Sequence, residues 1–206
     1  MAKVDFKKEL KHLYQTAAQT PALVEAPRLP FLMLNGGGDP DANPDFQGKV
    51  EALFAASYAL KFLLKNQGWD YVVAPLEGLW GMRMGCEFDL DRRDEWRWTL
   101  MILQPAQVTK DLLAQALAAL RKKKDLPFLD ELRLEIYDEG PAAQIMHLGP
   151  YGGEGPTIAR LHRFISDQGY HLGGKHHEIY LSDPRRTAPE KLKTIIRQPI
   201  TREAMK

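Results

Sequence analysis

The chain has 206 residues, of which 44% are hydrophobic and 27% are charged, as is usual for a globular protein. Its net charge of +1 excludes a chain-wide basic surface for nucleic acid and an acidic solvating tail. The single cysteine, Cys86, excludes an internal disulfide framework and fits a reducing compartment. The charged N-terminus lacks a signal-type apolar segment and no run reaches membrane-spanning length, so we expect a cytoplasmic protein without a membrane partner.

The N-terminal stretch predicts a short helix over residues 5–14, with Phe6, Leu10 and Leu13 on its apolar stripe. Prolines at positions 21, 27 and 30 then indicate an extended connection. This segment is too short for a helix-turn-helix module, so we expect no direct contact with nucleic acid.

Two similar halves follow. The first predicts a strand at 31–34, a long helix at 46–66, and strands at 71–74 and 96–103. The second predicts a strand at 143–148, a helix at 155–168, and strands at 178–181 and 192–197. An extra helix at 110–124 joins the halves, and its basic C-terminus is interpreted as a solvated helix end.

The repeated order predicts an α+β fold of duplicated β-α-β-β units with pseudo-two-fold symmetry. We expect helices on one face of an antiparallel sheet and a ligand groove on the other. Aligning residues 68–73 with residues 174–179 places Glu178 opposite Val72. The predicted organisation is a single domain over 1–206, with an N-terminal helical extension at 1–27, a first repeat at 28–109, a linking helix at 110–124 and a second repeat at 132–200.

Glu178 is a carboxylate in a strand that otherwise favours apolar residues. Alternation puts His176, Glu178 and Tyr180 on one face, and Ile179 with its odd-numbered neighbours on the other. If the core covers Ile179, Glu178 stands on the opposite face. There it is either an ordinary solvated residue or a carboxylate in a concave site.

Other motifs predict neither a metal nor a cofactor. The Asp-rich loop at 39–45 has Pro44 where a calcium loop needs glycine, and the glycines at 36–38 lack a P-loop lysine. His176 and His177 diverge to opposite faces, which argues against zinc. No serine lies in a G-x-S-x-G elbow, and Cys86 lies in no recognisable motif.

Aromatic residues are plentiful near the expected groove. Trp96 and Trp98 share a strand face, and Trp80 follows a short Leu-Glu-Gly-Leu stretch. Tyrosines 71, 151 and 180 are placed at strand ends or in loops. Aromatic faces around a carboxylate suit flat, cationic or electron-poor molecules, although each tryptophan could equally be core.

Six stretches of the chain carry a resemblance to a known family, and they cover nearly its whole length. They are DFKKELKHLY, FLMLNGGGDP, DYVVAPLEGLW, WRWTLMILQP, GPYGGEGPTIARLHRFI and GKHHEIYLSDPRRTAPEKLKTIIRQPI. They resemble the GyrI-like small-molecule-binding proteins, which are related to the effector-binding domains of multidrug-responsive regulators. The resemblance implies the duplicated fold and a ligand groove centred on a glutamate that matches Glu178.

The resemblance also implies Trp80, Trp98 and Tyr151 as pocket walls. With Tyr71, Met101 and His176, they complete the ligand-binding positions that we predict around Glu178.

Two main functions are left open for the chain. One is a stand-alone binding protein for lipophilic aromatic or cationic compounds.

The other is a hydrolase that opens the cyclopropane ring of cyclopropanoid genotoxins, with Glu178 activating water and Tyr180 or Tyr151 donating a hydrogen bond. A gyrase-inhibitor-like role with a protein partner is the least favoured hypothesis. Oligomeric state does not follow from the sequence.

Overall fold

The computed structural model describes residues 3–82 and 91–202, which form an α+β fold. The helices are α1 (Phe6–Glu9), α2 (Lys11–Tyr14), α3 (Pro44–Asn66), α4 (Lys110–Arg121) and α5 (Gly155–Asp167). The strands are β1 (Ala22–Ala26), β2 (Leu29–Gly37), β3 (Leu76–Met82), β4 (Trp96–Leu103), β5 (Arg133–Tyr137), β6 (Gly140–Leu148), β7 (His171–Leu172), β8 (His176–Tyr180) and β9 (Lys193–Thr201). Single 3-10 turns lie at Arg93–Glu95, Leu129–Glu131, Tyr151–Gly153 and Pro189–Lys191.

The predicted strand-helix-strand-strand repeat is confirmed. The first copy is β2-α3-β3-β4 and the second is β6-α5-β8-β9, with the two-residue β7 inserted after α5. The predicted division into an extension, two repeats and a linking helix stays a prediction. None of the helices in the described ranges is both long and apolar enough to span a membrane.

The predicted strand at 71–74 was wrong. Tyr71 makes only an isolated bridge to Val4, and β3 begins at Leu76, after Pro75. Lys61 donates to the Tyr71 carbonyl (2.7 Å), so side-chain and terminal contacts hold this stretch instead of a sheet ladder. Val72 is therefore not the counterpart of Glu178.

Three further features of the fold differ in detail from the sequence predictions. The expected helix at 5–14 is broken at Leu10 into α1 and α2. The expected extended connection contains β1, a strand bounded by Pro21 and Pro27, where missing N–H groups limit pairing. Strand β5 was not anticipated. Cys86 lies outside the described residues.

The described chain divides into two compact units. The first contains Met1–Glu9, Leu29–Ala74 and Trp80–Tyr137. Within it, β2 pairs antiparallel with β4 on one side and with β5 on the other. Helix α3 begins at a capped end, because the Asn43 side chain accepts a hydrogen bond from the Asp45 N–H (2.8 Å).

Gly36 in β2 provides the space that the Trp98 indole occupies. The ring lies over Gly36, and its Nε1 donates to the Gly38 carbonyl (3.1 Å). A Cβ at position 36 would overlap the ring atoms. We therefore expect Gly36→Ala to lower the free energy of unfolding by about 1–3 kcal/mol, as overpacking does.

Urea unfolding followed by tryptophan fluorescence measures this effect. Gly152→Ala is the control, because a Cβ there meets no atom within 4 Å. Equal stability of the two variants would contradict the proposed overlap.

The second unit contains Leu10–Arg28, Pro75–Leu79 and Asp138–Lys206. Its antiparallel strands follow the order β1-β6-β9-β8, with β7 paired to β9 and β3 next to β8. Helix α5 packs on one face of this sheet. The shared apolar cluster consists of Ala143, Ile145, Ile158, Leu161, Ile165, Ile196 and Ile200.

Candidate functional site

Glu178 lies on the face of the second unit's sheet that α5 covers. It is directly opposite Ile196 in the β8–β9 register, and opposed residues of an antiparallel pair share a face. Ile196 packs in the apolar cluster with α5. The condition under which Glu178 would face away from the helices, namely that they cover Ile179, is therefore not met in this unit.

Both oxygens of the Glu178 carboxylate are held by neighbours on its own strand. His176 Nε2 lies 3.2 Å from Oε1, and the Tyr180 hydroxyl donates to Oε2 at 2.8 Å. The predicted alternation on β8 thus brings these three side chains together. The Glu178 side chain keeps 13% of its surface exposed, so the carboxylate is nearly enclosed.

Glu154, just before α5, is a second carboxyl group beside Glu178. It is buried and makes no side-chain capping bond to the helix. Burial raises the pKa of Glu154 well above its ordinary value, and the charge of Glu178 and a hydrogen bond with it raise the pKa further. The Thr194 hydroxyl has the opposite effect and lowers the pKa of Glu154.

The hydrogen-bond geometry also favours a protonated Glu154. Its Oε1 atom is buried and meets no donor with good geometry among the described residues. A carboxylate only accepts hydrogen bonds, whereas a carboxylic acid can also donate one. With its proton in place, Glu154 can donate a hydrogen bond to Glu178.

Tyr151 borders this carboxyl pair on the exposed side. Its ring meets that of Tyr180 edge to face, with centroids 5.5 Å apart, and it is 39% exposed. Burial raises the pKa of Tyr151, as do the charges of Glu154 and Glu178. The His147 ring ties the Tyr151 turn to α5 through Pro150 O (3.2 Å) and Thr157 Oγ1 (3.0 Å).

His162 adds a titratable group on α5. Burial lowers its pKa, and the neighbouring His176 lowers it further, so His162 favours the neutral form. Its Nε2 atom is buried without a hydrogen-bond partner in the described part of the chain. None of the described His, Cys, Asp and Glu side chains form a group of three or more that could hold a metal ion.

The two carboxyl groups of this site have different surroundings. Glu178 is an acceptor surrounded by donors, while Glu154 is a buried group that retains its proton. Such a pair can take a proton at one group and give one at the other, as required for general acid–base chemistry.

The predicted wall residues Trp80 and Trp98 belong to the first unit. They lie in an aromatic cluster with Phe46 and Trp96, in which Phe46 meets Trp98 at 5.2 Å and Trp80 meets Trp96 at 5.5 Å between ring centroids. Both indoles are buried. A pocket that combines them with Glu178 stays a prediction.

Tyr71 and Met101 are fully buried in the first unit. The Tyr71 hydroxyl faces the Ser57 carbonyl (3.4 Å) and Gln104 Oε1 (3.3 Å). Met101 is opposite Met33 in the β2–β4 register and, by alternation, on the other face of β4 from Trp98. These contacts account for both side chains as core.

Sequence reasoning missed Glu154, Thr194 and His162. Glu154 lies in a Gly-Gly-Glu-Gly stretch before a helix, where an acidic residue is ordinary because it complements the helix dipole. Helical spacing offered one signal, since positions 154, 158 and 162 recur every four residues along one side of α5.

The opposite face of β8 carries a buried ion network. His177 Nδ1 lies 2.7 Å from Glu139 Oε1, and its Nε2 lies 3.0 Å from Glu77 Oε2. The Tyr14 hydroxyl donates to Glu77 (2.6 Å) and Arg197 donates to Glu139 (3.0 Å). Arg197 also donates to the Leu13 carbonyl (2.6 Å), so the network ties α2 to the sheet.

His177 is an imidazolium in this network, because both ring nitrogens face carboxylates and both must donate. Burial alone would lower the pKa of His177, but Glu139 and Glu77 outweigh burial and raise it to about 9.

A twofold strand-helix-strand-strand repeat on an antiparallel sheet defines a class of duplicated α+β domain. The chain belongs to the GyrI-like small molecule binding domain family, whose model matches residues 19–201. The resemblance inferred from the sequence is thereby confirmed.

Solved structures support the same fold. An uncharacterized conserved protein from Listeria innocua is 40% identical, with a TM-score of 0.88 and coverage of 97% of this chain and 100% of that chain. A structure described as a hydrolase from Listeria innocua is also 40% identical, with a TM-score of 0.87 and the same coverage. The EcmrR C-terminal domain, 14% identical with a TM-score of 0.55, covers 89% of this chain and 98% of its own and shares the fold. No curated protein matches the chain.

Proposed function

We propose that the protein is a hydrolase of small electrophilic molecules and that the Glu154–Glu178 pair is its acid–base centre. The observation that carries the proposal is the presence of two adjacent, nearly enclosed carboxyl groups of which one retains its proton. Structures that are 40% and 39% identical over 97% of this chain and are described as hydrolases add support.

Glu178 is the proposed base. The His176 and Tyr180 donors orient its carboxylate, leaving the remaining lone pairs to accept a proton from water. Tyr180 thus supports the base, since its own proton is directed to Glu178. Glu154 is the proposed acid, because a buried carboxyl group that keeps its proton at neutral pH can deliver it to a developing oxyanion.

The proposed substrates are cyclopropanoid compounds, in which a cyclopropane adjoins an electron-poor ring that bears a carbonyl group. Water oxygen forms a bond to the ring CH₂ group, and the cyclopropane C–C bond breaks. Its electron pair moves through the conjugated ring to the carbonyl oxygen. Glu178 takes the water proton and Glu154 protonates the oxygen, which completes the addition of one water molecule.

A hydrogen bond between the two carboxyl groups would provide a route by which this centre resets. After the reaction Glu178 carries the proton and Glu154 is charged. Transfer across their hydrogen bond restores the starting state without a separate proton donor.

We propose Tyr151 as the aromatic contact for the flat part of the substrate, because its ring is partly exposed next to Tyr180. Trp80 and Trp98 are kept as proposed walls on the strength of the family resemblance. For Tyr71 and Met101, we propose a core role instead of ligand contact.

A binding protein without turnover is the second candidate. The same nearly enclosed carboxylate favours it, since a desolvated negative charge selects cations and hydrogen-bond donors. The gyrase-partner hypothesis stays a prediction that no feature of the described residues favours.

Turnover decides between these functions. Purified protein is incubated with a cyclopropanoid compound, and the product is analysed by mass spectrometry. We expect an adduct heavier by one water, formed faster than in buffer with the wild-type protein and no faster than in buffer with Glu178→Gln.

Glu190→Gln is the matched control, because Glu190 is exposed on the same unit. Binding of the compound without any adduct would replace the hydrolase proposal with the binding candidate. If the protein neither binds the compound nor forms the adduct, this substrate class is ruled out for both candidate functions.

A further inference from the structure

A buried histidine, His147, lies on the same sheet face as the carboxyl pair. It is 6% exposed and stands near the end of β6, opposite Thr194 in the β6–β9 register. Thr194 is in turn opposite Tyr180, and Tyr180 alternates with Glu178 on β8. The His147 side chain is therefore on the side of the sheet that α5 covers.

The turn at residues 150–153 connects β6 to α5 and leads into two residues of the proposed site. Tyr151 lies in the turn, and Glu154 follows it directly. The Gly153 N–H donates to the Pro150 carbonyl (2.8 Å), and the Glu154 N–H donates to the Tyr151 carbonyl (3.1 Å). These bonds run within the segment, so they fix its shape and not its position on the sheet. Glycine at two of its positions also leaves the backbone much conformational freedom, so the turn needs an anchor from outside.

His147 provides such an anchor. Its Nε2 lies 3.2 Å from the Pro150 carbonyl oxygen, and its Nδ1 lies 3.0 Å from Oγ1 of Thr157, in the first turn of α5. The ring also lies against both ends of the turn. A Cβ on Gly149 would be 3.5 Å from Nε2, and a Cβ on Gly153 would be 4.0 Å from Cε1 of the same ring.

The two hydrogen-bond partners fix the tautomer of the ring. A carbonyl oxygen only accepts hydrogen bonds, so Nε2 must carry a proton to bond Pro150. In the neutral ring Nδ1 then has no proton and accepts from the Thr157 hydroxyl. Both bonds form together in this one orientation of the ring, which joins the strand, the turn and the helix.

We propose that His147 is a positioning residue whose hydrogen bond to the Pro150 carbonyl holds the turn and thereby sets where Tyr151 and Glu154 lie beside Glu178. The kinetic part of this inference rests on the proposed function, because Tyr151 and Glu154 take their roles from it. The anchoring rests on the hydrogen bonds alone and can be measured without any substrate.

The first test is nuclear magnetic resonance of the nitrogen-15-labelled protein without substrate. The ring signals of His147 are assigned by their loss in His147→Phe, and we expect the neutral ring to carry its proton on Nε2 and not on Nδ1. Hydrogen exchange of the amides then compares His147→Phe, which keeps a flat ring without hydrogen bonds, with His147→Gln, which keeps a side-chain N–H donor.

The Gly153 and Glu154 amides should exchange about tenfold faster in His147→Phe than in wild type, the effect of one hydrogen bond. In His147→Gln they should exchange at close to wild-type rates. The amides of β9 should keep their protection in both variants, because the proposed anchor acts on the turn and not on the sheet.

Steady-state kinetics test the consequence for the proposed function. In His147→Phe, kcat should fall about tenfold because the acid is displaced, and KM should rise because the Tyr151 contact is displaced with it. His147→Gln should recover most of both losses. His171→Phe is the matched control, since His171 is exposed in the same unit, and it should behave as wild type.

Unchanged exchange of the two turn amides in His147→Phe overturns the proposal, and so does a neutral wild-type ring with its proton on Nδ1. Faster exchange throughout β9 as well would show a general packing role and also overturns it. If His147→Phe does not fold, His147→Asn, which has no atom at the position of Nε2, takes its place. Absence of turnover in wild type contradicts the hydrolase function, whereas the tautomer and exchange measurements still decide the role of His147.

Discussion

Replacing Glu154 by Gln is expected to lower kcat for water addition by about 10²–10⁴-fold, the usual contribution of a general acid. The amide keeps the shape of the side chain but has no acidic proton to transfer to the developing oxyanion. Rates are measured with the compound that gives the water adduct. The exposed Glu190→Gln variant is the control for loss of a carboxyl group, and it should retain wild-type rates.

The pH dependence of activity provides a second test of Glu154 as the acid. Burial and the charge of Glu178 raise the pKa of Glu154, so the acid form persists through neutral pH. Activity should therefore fall on the alkaline side as pH rises through this raised pKa of Glu154. Because Gln does not titrate, Glu154→Gln should lose this alkaline limb, and a variant with full activity or an unchanged limb would rule out Glu154 as the acid.

The sequence allowed the composition of the site to be predicted better than its orientation. Alternation correctly grouped His176, Glu178 and Tyr180, because the period of a strand is a local property. It could not tell which face a helix covers. Both faces of the sheet are covered here. Ile196 is fully buried under α5, and Ile179 is fully buried on the other face, where the His177 network and α2 lie.

The missed elements have similarly physical causes. Tyr71, Val72 and Val73 are strong strand formers, but here contacts with Val4 and Lys61 take the place of a ladder. Glu154 was missed because its raised pKa depends on a neighbour 24 positions along the chain. Such a partnership exists only after α5 has packed against the sheet.

Replacing His177 by Leu is expected to lower the free energy of unfolding by about 3–5 kcal/mol, the cost of breaking a buried ion pair by removing one partner. Glu77 and Glu139 would remain buried without the imidazolium between them. Tyr14 and Arg197 would still bind one carboxylate each, which is insufficient to neutralise both. Urea unfolding at pH 7 measures the loss, and exposed His171→Leu in the same unit is the matched control.

The wild-type protein should also lose stability with rising pH in a defined window. The pKa of His177 is raised to about 9 in the folded state, whereas an unperturbed histidine titrates near 6.5. Its contribution is therefore fully present below about pH 6.5 and is lost as pH rises through about 9. Glu154 adds a loss over the same range, so the His177 part is the difference between the wild-type and His177→Leu curves.

A compensating substitution separates charge from packing in this network. In the double variant His177→Leu with Glu77→Gln, one of the two stranded carboxylates is neutral, and Glu139 still pairs with Arg197. If buried charge causes the loss, the double variant should be more stable than His177→Leu alone, and its pH dependence between 6.5 and 9 should be flatter than that of wild type. If the double variant is instead less stable than the single one, the role of His177 is to fill space and bond β3 to β8, and the ionic account is wrong.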